Sequence, residues 1–162
     1  MTILILVGTM SYKITKAIQG EDVKFKNPDP AFYEALGYDG MQELMYKFYD
    51  RIYESNIAHF FPQDPDEFEE VKKKNTKFFI QICGGPSIYD EEMKGKDLDQ
   101  YMIDIHKNFS IYEKSRDEWL GTFREVLMEL DIDQNIKDDF WQYLDKFSKL
   151  TVNRYLKESA YV

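Results

Sequence analysis

The sequence predicts an all-α chain. Six stretches place apolar residues at helical spacing and close on helix-stop signals, and no stretch reads as a convincing core strand. Aromatic residues make up 16% of the 162 residues, with twelve Phe, twelve Tyr and two Trp. Such a supply of large flat side chains suits a core or the walls of a wide pocket. The length fits one domain with a sizeable core, built from antiparallel helices of unequal length.

Taken in order, the chain opens with a short apolar run, Ile3 to Val7, that no basic residue precedes. A secretory signal needs a charged start, and a membrane span needs about 20 apolar residues. The run matches neither, so a later start at Met10 or an added arm is expected, and no membrane association. Residues 11–31 lack a helical period and hold a Gly and two prolines. Alternation around Tyr12 and Ile14, and again at Val23 and Phe25, suggests extended chain lying on a surface. Residues 1–30 are therefore read as an irregular or extended N-terminal extension, and 31–158 as the folded domain.

Asp29-Pro30 marks a helix start, Asp capping and Pro at the first helical position. A short helix through Phe32, Tyr33 and Leu36 should end at Gly37. A second helix, from about Gly40 to Ser55, gathers Leu44, Met45, Phe48, Tyr49 and Ile52 on one face. Residues 56–65 form a turn region with His59, Phe60 and Phe61 just before Pro62. The third helix, about Asp66 to Cys83, carries Phe68, Val71, Phe78, Phe79 and Ile82, with Asn75 polar where an apolar residue is due. Gly84-Gly85-Pro86 stops it. Residues 86–97 read as loop, followed by a short helix from Leu98 to His106. Two long helices complete the chain, Glu113 to Leu130 and Gln134 to Leu156.

Composition excludes several classes of function. A net charge of −9 without a basic stripe disfavours nucleic acid as a partner. The single cysteine, Cys83, excludes an intramolecular disulfide and every multi-cysteine metal site. Its apolar setting, FFIQICGG, reads as a buried thiol and fits a reducing cytoplasm. No Glu-x-x-His pair points to a di-iron bundle, no local pattern pairs a nucleophile with a base, and Gly84-Gly85 lacks a phosphate-loop pattern.

What remains is a small set of polar or amphipathic residues on apolar faces. His106 closes the apolar run of Tyr101, Met102, Ile103 and Ile105, and Trp119 lies on the following helix. An imidazole there can hold the iron of a flat apolar cofactor, with the indole covering another edge; equally, a helix-end histidine is an ordinary capping residue. Tyr49 and Asn75 interrupt apolar faces, yet each has a bland reading: a core tyrosine, and a surface amide in the polar run VKKKNTK. His59 reads as a loop residue. The four residues together carry more than any one of them.

At this point the sequence resembles the group II truncated haemoglobins. The matching pieces run from about Phe32 to Leu156: YEALG (33–37), KFYDRIYES (47–55), FFP (60–62), FFIQICGGPSIY (78–89), HKNFSI (106–111) and RDEWL (116–120). The Gly-Gly-Pro-x-x-Tyr loop, the His-x-x-Phe-x-Ile segment and the Arg-Asp-x-Trp helix, at this mutual spacing, form a specific set. The resemblance implies a truncated globin fold, a two-over-two helical sandwich around haem b. It implies His106 as proximal iron ligand and Tyr49, Trp119, Asn75 and Val71 as distal positions facing the bound ligand. It further implies Phe48, Phe61, Phe78, Phe109, Ile111 and Met102 as haem contacts. The basic residue often found just before the proximal histidine is Ile105 here, so Lys74, or else Lys107, is the expected propionate partner. A proline that commonly follows the histidine is absent.

The family reading implies binding of dioxygen and of other small haem ligands (nitric oxide, carbon monoxide, peroxide) within a Tyr/Trp/Asn cage. Several donors aimed at one ligand slow its release, which suits scavenging or redox work better than bulk oxygen transport. Nitric oxide dioxygenation, peroxidase-like turnover with a separate reductase, and simple binding all stay open, as does a homodimer. A haem-based ligand sensor and a haem-free helical binding protein are the alternative expectations.

Overall fold

The computed structural model describes residues 11–93 and 95–155. The apolar run at Ile3–Val7, the start at Met10 and the domain end at residues 156–158 lie outside the described residues. Among those described there is no strand, and no helix is long and apolar enough to cross a membrane.

Helix α1 spans Ala31–Tyr53. The Asp29 carboxylate accepts from the Ala31 N–H at 2.9 Å, and Pro30 already has helical backbone angles (φ −57°, ψ −16°). The Asp-Pro start is thus realised as expected. Gly37, at φ 72° and ψ 178°, breaks the helix into a short arm and a long one. This is the break expected there, because an L-residue with a side chain resists that backbone region. A 3-10 turn, Ala58–Phe60, leads to α2, Pro65–Ile82. Asp64 caps α2 by accepting from the Glu67 N–H at 3.0 Å, which places the start one residue before the expected Asp66.

The Gly-Gly-Pro stop works through two different demands. Gly84 takes φ +96°. Gly85 is needed for space, since an added Cβ would lie 2.7 Å from Ile80 Cγ2 and 2.8 Å from both the Ile80 carbonyl and a Tyr33 ring carbon. Gly85→Ala is expected to destabilise the protein by about 1–3 kcal/mol, the usual cost of overpacking. Urea unfolding measures it, and an unchanged midpoint would show that Tyr33 and Ile80 give way freely.

A single turn, α3 (Asp90–Met93), interrupts the stretch expected to be loop. Helix α4 spans Leu98–His106, with the bounds expected, and α5 spans Glu113–Met128. Helix α6 spans Gln134–Lys149, capped by Asp133 accepting from the Asn135 N–H. Its expected continuation to residue 156 is wrong. Residues 152–155 are not helical, because this stretch bonds to the α4–α5 connection instead. The Asn153 and Arg154 N–H groups both donate to the Ile111 carbonyl, and the Ile111 N–H donates to Asn153 Oδ1 at 2.9 Å.

Helix α1 packs on α2 and also on α5 and α6, which pack on each other. One helix pair therefore lies over the other. Phe48 of the long arm stacks on Phe123 of α5 at 4.0 Å, and Phe32 of the short arm stacks on Phe140 of α6 at 4.1 Å. All four are fully buried. Cys83 is buried in this core, as expected of it.

Residues 12–30 run over α5 and α6 without a helix or strand. Tyr12 meets Trp141 edge-on at 5.2 Å, Phe25 packs on Tyr143 and Phe147, and the Trp141 indole donates to the Lys13 carbonyl at 2.8 Å. The stretch is irregular, and Tyr12, Ile14 and Phe25 pack against the core.

Candidate functional site

A cavity of about 450 Å³ lies between the two helix pairs, bounded by α1, α2, α4, α5 and α6. Eleven of the twelve residues singled out from the sequence line it. Tyr49 and the α2 residues Val71, Lys74, Asn75 and Phe78 form one side with Phe61 of the turn. Met102 and His106 of α4, with Phe109 and Ile111 of the following turn, form another, and Trp119 of α5 is the eleventh. Phe48 is the exception: it lies behind the lining, edge-on to Tyr49 at 4.9 Å and to Trp119 at 5.6 Å. It supports those two side chains rather than forming the wall.

His106 is held by its own helix. Its Nδ1 lies 2.6 Å from the Met102 carbonyl, one turn back. A carbonyl only accepts, so Nδ1 carries the hydrogen and Nε2 keeps its lone pair. Burial lowers the imidazole pKa from the ordinary 6.5, outweighing the opposite pull of the Met102 carbonyl. The ring is therefore neutral near pH 7 and able to ligate a metal through Nε2.

Tyr49 is buried, and burial raises its phenol well above the ordinary range, partly offset by a hydrogen bond from Asn75. Both side chains line the cavity, the phenol offering an O–H and the amide an N–H. Trp119 is half-buried among Phe48, Phe79 and Phe123, and its indole N–H can only donate. Lys74 is exposed and reaches Glu92 at 3.6 Å. Such a surface pair is worth little and leaves the ammonium available to another anion.

Several lining residues escaped the sequence reading. Tyr89 and Tyr101 meet edge-on at the cavity, with ring centroids 6.1 Å apart, and burial raises the Tyr89 phenol. Arg116 also lines the cavity although its side chain has no solvent exposure, and Ser115, Ser148 and Thr151 join it there. Tyr89 and Arg116 stand in the loop and helix patterns quoted above. The three hydroxyl residues give no signal that distinguishes them from helix surface.

The chemistry of this lining fits a haem. The walls are aromatic and apolar, the volume is in the range of cofactor pockets, and one neutral imidazole offers a free nitrogen. No cluster of three or more His, Cys, Asp or Glu suited to a bare metal ion occurs among the described residues.

A histidine-bearing apolar cavity between two pairs of helices is the plan of a globin. The chain belongs to the bacterial-like globin family, whose model matches residues 31–153. It is similar to the group 2 truncated hemoglobin YjbI of Bacillus subtilis (strain 168), 25% identical over 122 residues, covering 75% of this chain and 88% of that protein. In structure it is similar to phosphate-bound Hell's gate globin IV, with a TM-score of 0.74 at 24% identity, covering 90% of this chain and 87% of the other. The group II truncated hemoglobin of Bacillus anthracis gives a TM-score of 0.68 at 22% identity, over 84% and 99% of the two chains. The expected truncated globin fold is thus the fold observed, and the family implies a haem cofactor that binds small gaseous ligands.

Proposed function

We propose that this protein binds haem b through His106 and uses Tyr49, Trp119 and Asn75 to hold dioxygen. The hydrogen bond from His106 Nδ1 to the Met102 carbonyl carries this reading, because it fixes the tautomer and leaves Nε2 as the ligating atom. The haem would supply the redox chemistry and the site for the diatomic ligand. The chain supplies the rest. Tyr49 offers its O–H and Asn75 its amide N–H to a guest in the cavity that both line. Trp119 adds a second N–H donor. Val71 offers no hydrogen bond and leaves that side of the cavity apolar. Lys74 supports a propionate from the cavity edge in this reading.

Several donors on one ligand oppose its release, which favours scavenging or redox chemistry of oxygen and nitric oxide over transport. Turnover of that kind draws electrons from a separate reductase. The test is the visible absorption of the purified protein, ferric and dithionite-reduced, with and without carbon monoxide. A Soret band that shifts with carbon monoxide is the expected result. A colourless protein that takes up no added hemin would refute the haem reading and return the chain to a helical binding protein with aromatic walls.

A further inference from the structure

We propose that residues 13–17 are a strap that positions the cavity wall on α5 through Arg116. The guanidinium of Arg116 has no solvent exposure and uses every face. Its Nε donates to Ser148 Oγ at 2.8 Å, one terminal nitrogen donates to the Thr15 carbonyl at 3.0 Å and to Glu113, and the other donates to the Asp145 carbonyl and to Asp145 Oδ1 at 2.6 Å. One cation thus faces two carboxylates, and the surplus acceptor capacity is met by the strap. The Thr15 N–H donates to Asp145 Oδ1 at 3.0 Å, its hydroxyl to Asp145 Oδ2 at 2.7 Å, and the Ala17 N–H to Glu113 Oε2 at 2.7 Å. Hydrogen bonds to charged groups are the strong ones, and a buried charge left short of partners is costly.

The strap is therefore part of the cluster, not a cover over a finished one. Arg116 precedes Trp119 by three residues on α5, nearly one helical turn, so both sit on the same side of the helix, and both line the cavity. Whatever fixes the guanidinium fixes the first turns of α5 and the direction of the indole. Arg116 and Thr15 are positioning residues in this scheme. Occupancy of the cavity and docking of the strap then favour one another, since a coupling between two sites acts equally in both directions.

The test uses the full chain with Thr15→Val, which deletes the hydroxyl at an exposed position, and Thr15→Ser, which keeps it. Hydrogen–deuterium exchange of residues 13–17 and 115–119 is read without hemin, and hemin loss to excess apomyoglobin is read with it. The second readout rests on the proposed haem binding; the first does not. Thr15→Val should speed exchange in both segments, speed hemin loss by about fivefold to tenfold, and move the C–O stretch of the carbonmonoxy form toward that of Trp119→Phe. Thr15→Ser should restore wild-type values. Faster exchange in 13–17 with unchanged exchange in 115–119 would overturn the proposal, as would unchanged exchange in 13–17. If the wild type takes up no hemin, the proposed function fails, and the exchange results still decide the strap.

Discussion

His106→Ala is expected to lower hemin affinity by more than about 100-fold, beyond the 10–100-fold typical of changes one shell removed from a metal. The same variant should lose the imidazole-ligated spectrum, and millimolar free imidazole in the buffer should restore it by filling the space left. The expectation follows from the local geometry. His106 is the last residue of α4, half-buried, and its imidazole is bonded to the Met102 carbonyl. Removing it should therefore cost the apoprotein no more than about 1 kcal/mol, the net value of one such bond. Hemin titration beside urea unfolding of the apoprotein separates the two effects. Unchanged hemin affinity and an unchanged spectrum would take His106 out of the site.

Tyr49→Phe should speed dioxygen dissociation by about tenfold, equivalent to about 1.4 kcal/mol, the order expected when a hydroxyl donor to a partly charged ligand is lost. The substitution keeps the ring, which packs between Phe48 at 4.9 Å and Phe61 at 6.0 Å, so packing is conserved while the donor goes. Trp119→Phe should act in the same direction, with a larger loss of packing against Phe48 and Phe123. The double variant should release oxygen faster than either single one but by less than the product of the two, because both donors address one ligand. Stopped-flow displacement of oxygen by carbon monoxide gives the rates. A Tyr49→Phe rate equal to wild type would show that the phenol points elsewhere.

Much of this architecture was legible because it is written locally. Asp29-Pro30, Gly37 and Gly84-Gly85-Pro86 each act through the backbone of their own few residues, and the helices they bound appear where those signals stand. The apolar faces were legible for the same reason, since burial of Phe48, Phe79 or Phe140 needs only a period. The end of α6 was not. Leu150, Thr151 and Tyr155 keep the helical period, but Asn153 and Arg154 find partners at Ile111, about 40 residues earlier, and that competition is invisible in a window of sequence.

The site divides in the same way. Residues on apolar faces, such as Tyr49, Asn75 and Trp119, stood out by interrupting a pattern. Phe48, expected as a haem contact, stands behind Tyr49 and Trp119, and spacing alone does not tell a wall from its support. Arg116 drew attention only as part of a helix pattern, because its partners Thr15, Glu113, Asp145 and Ser148 come from three separate parts of the chain.

The bonds between Thr15 and Asp145 join residues 130 positions apart, and Ala17 shares a small buried cluster with Val152 near the other end of the described chain. The polypeptide is drawn almost into a ring. Closing so long a loop costs little more than closing one half its length, because the entropy grows only with the logarithm of length. Speed is a different matter. Helix bundles fold quickly when neighbours in sequence touch, and contacts of this span raise the contact order of an otherwise local topology. The strap bonds Asp145 of α6 and Glu113 of α5 together, so its full set of partners exists only once those two helices have met.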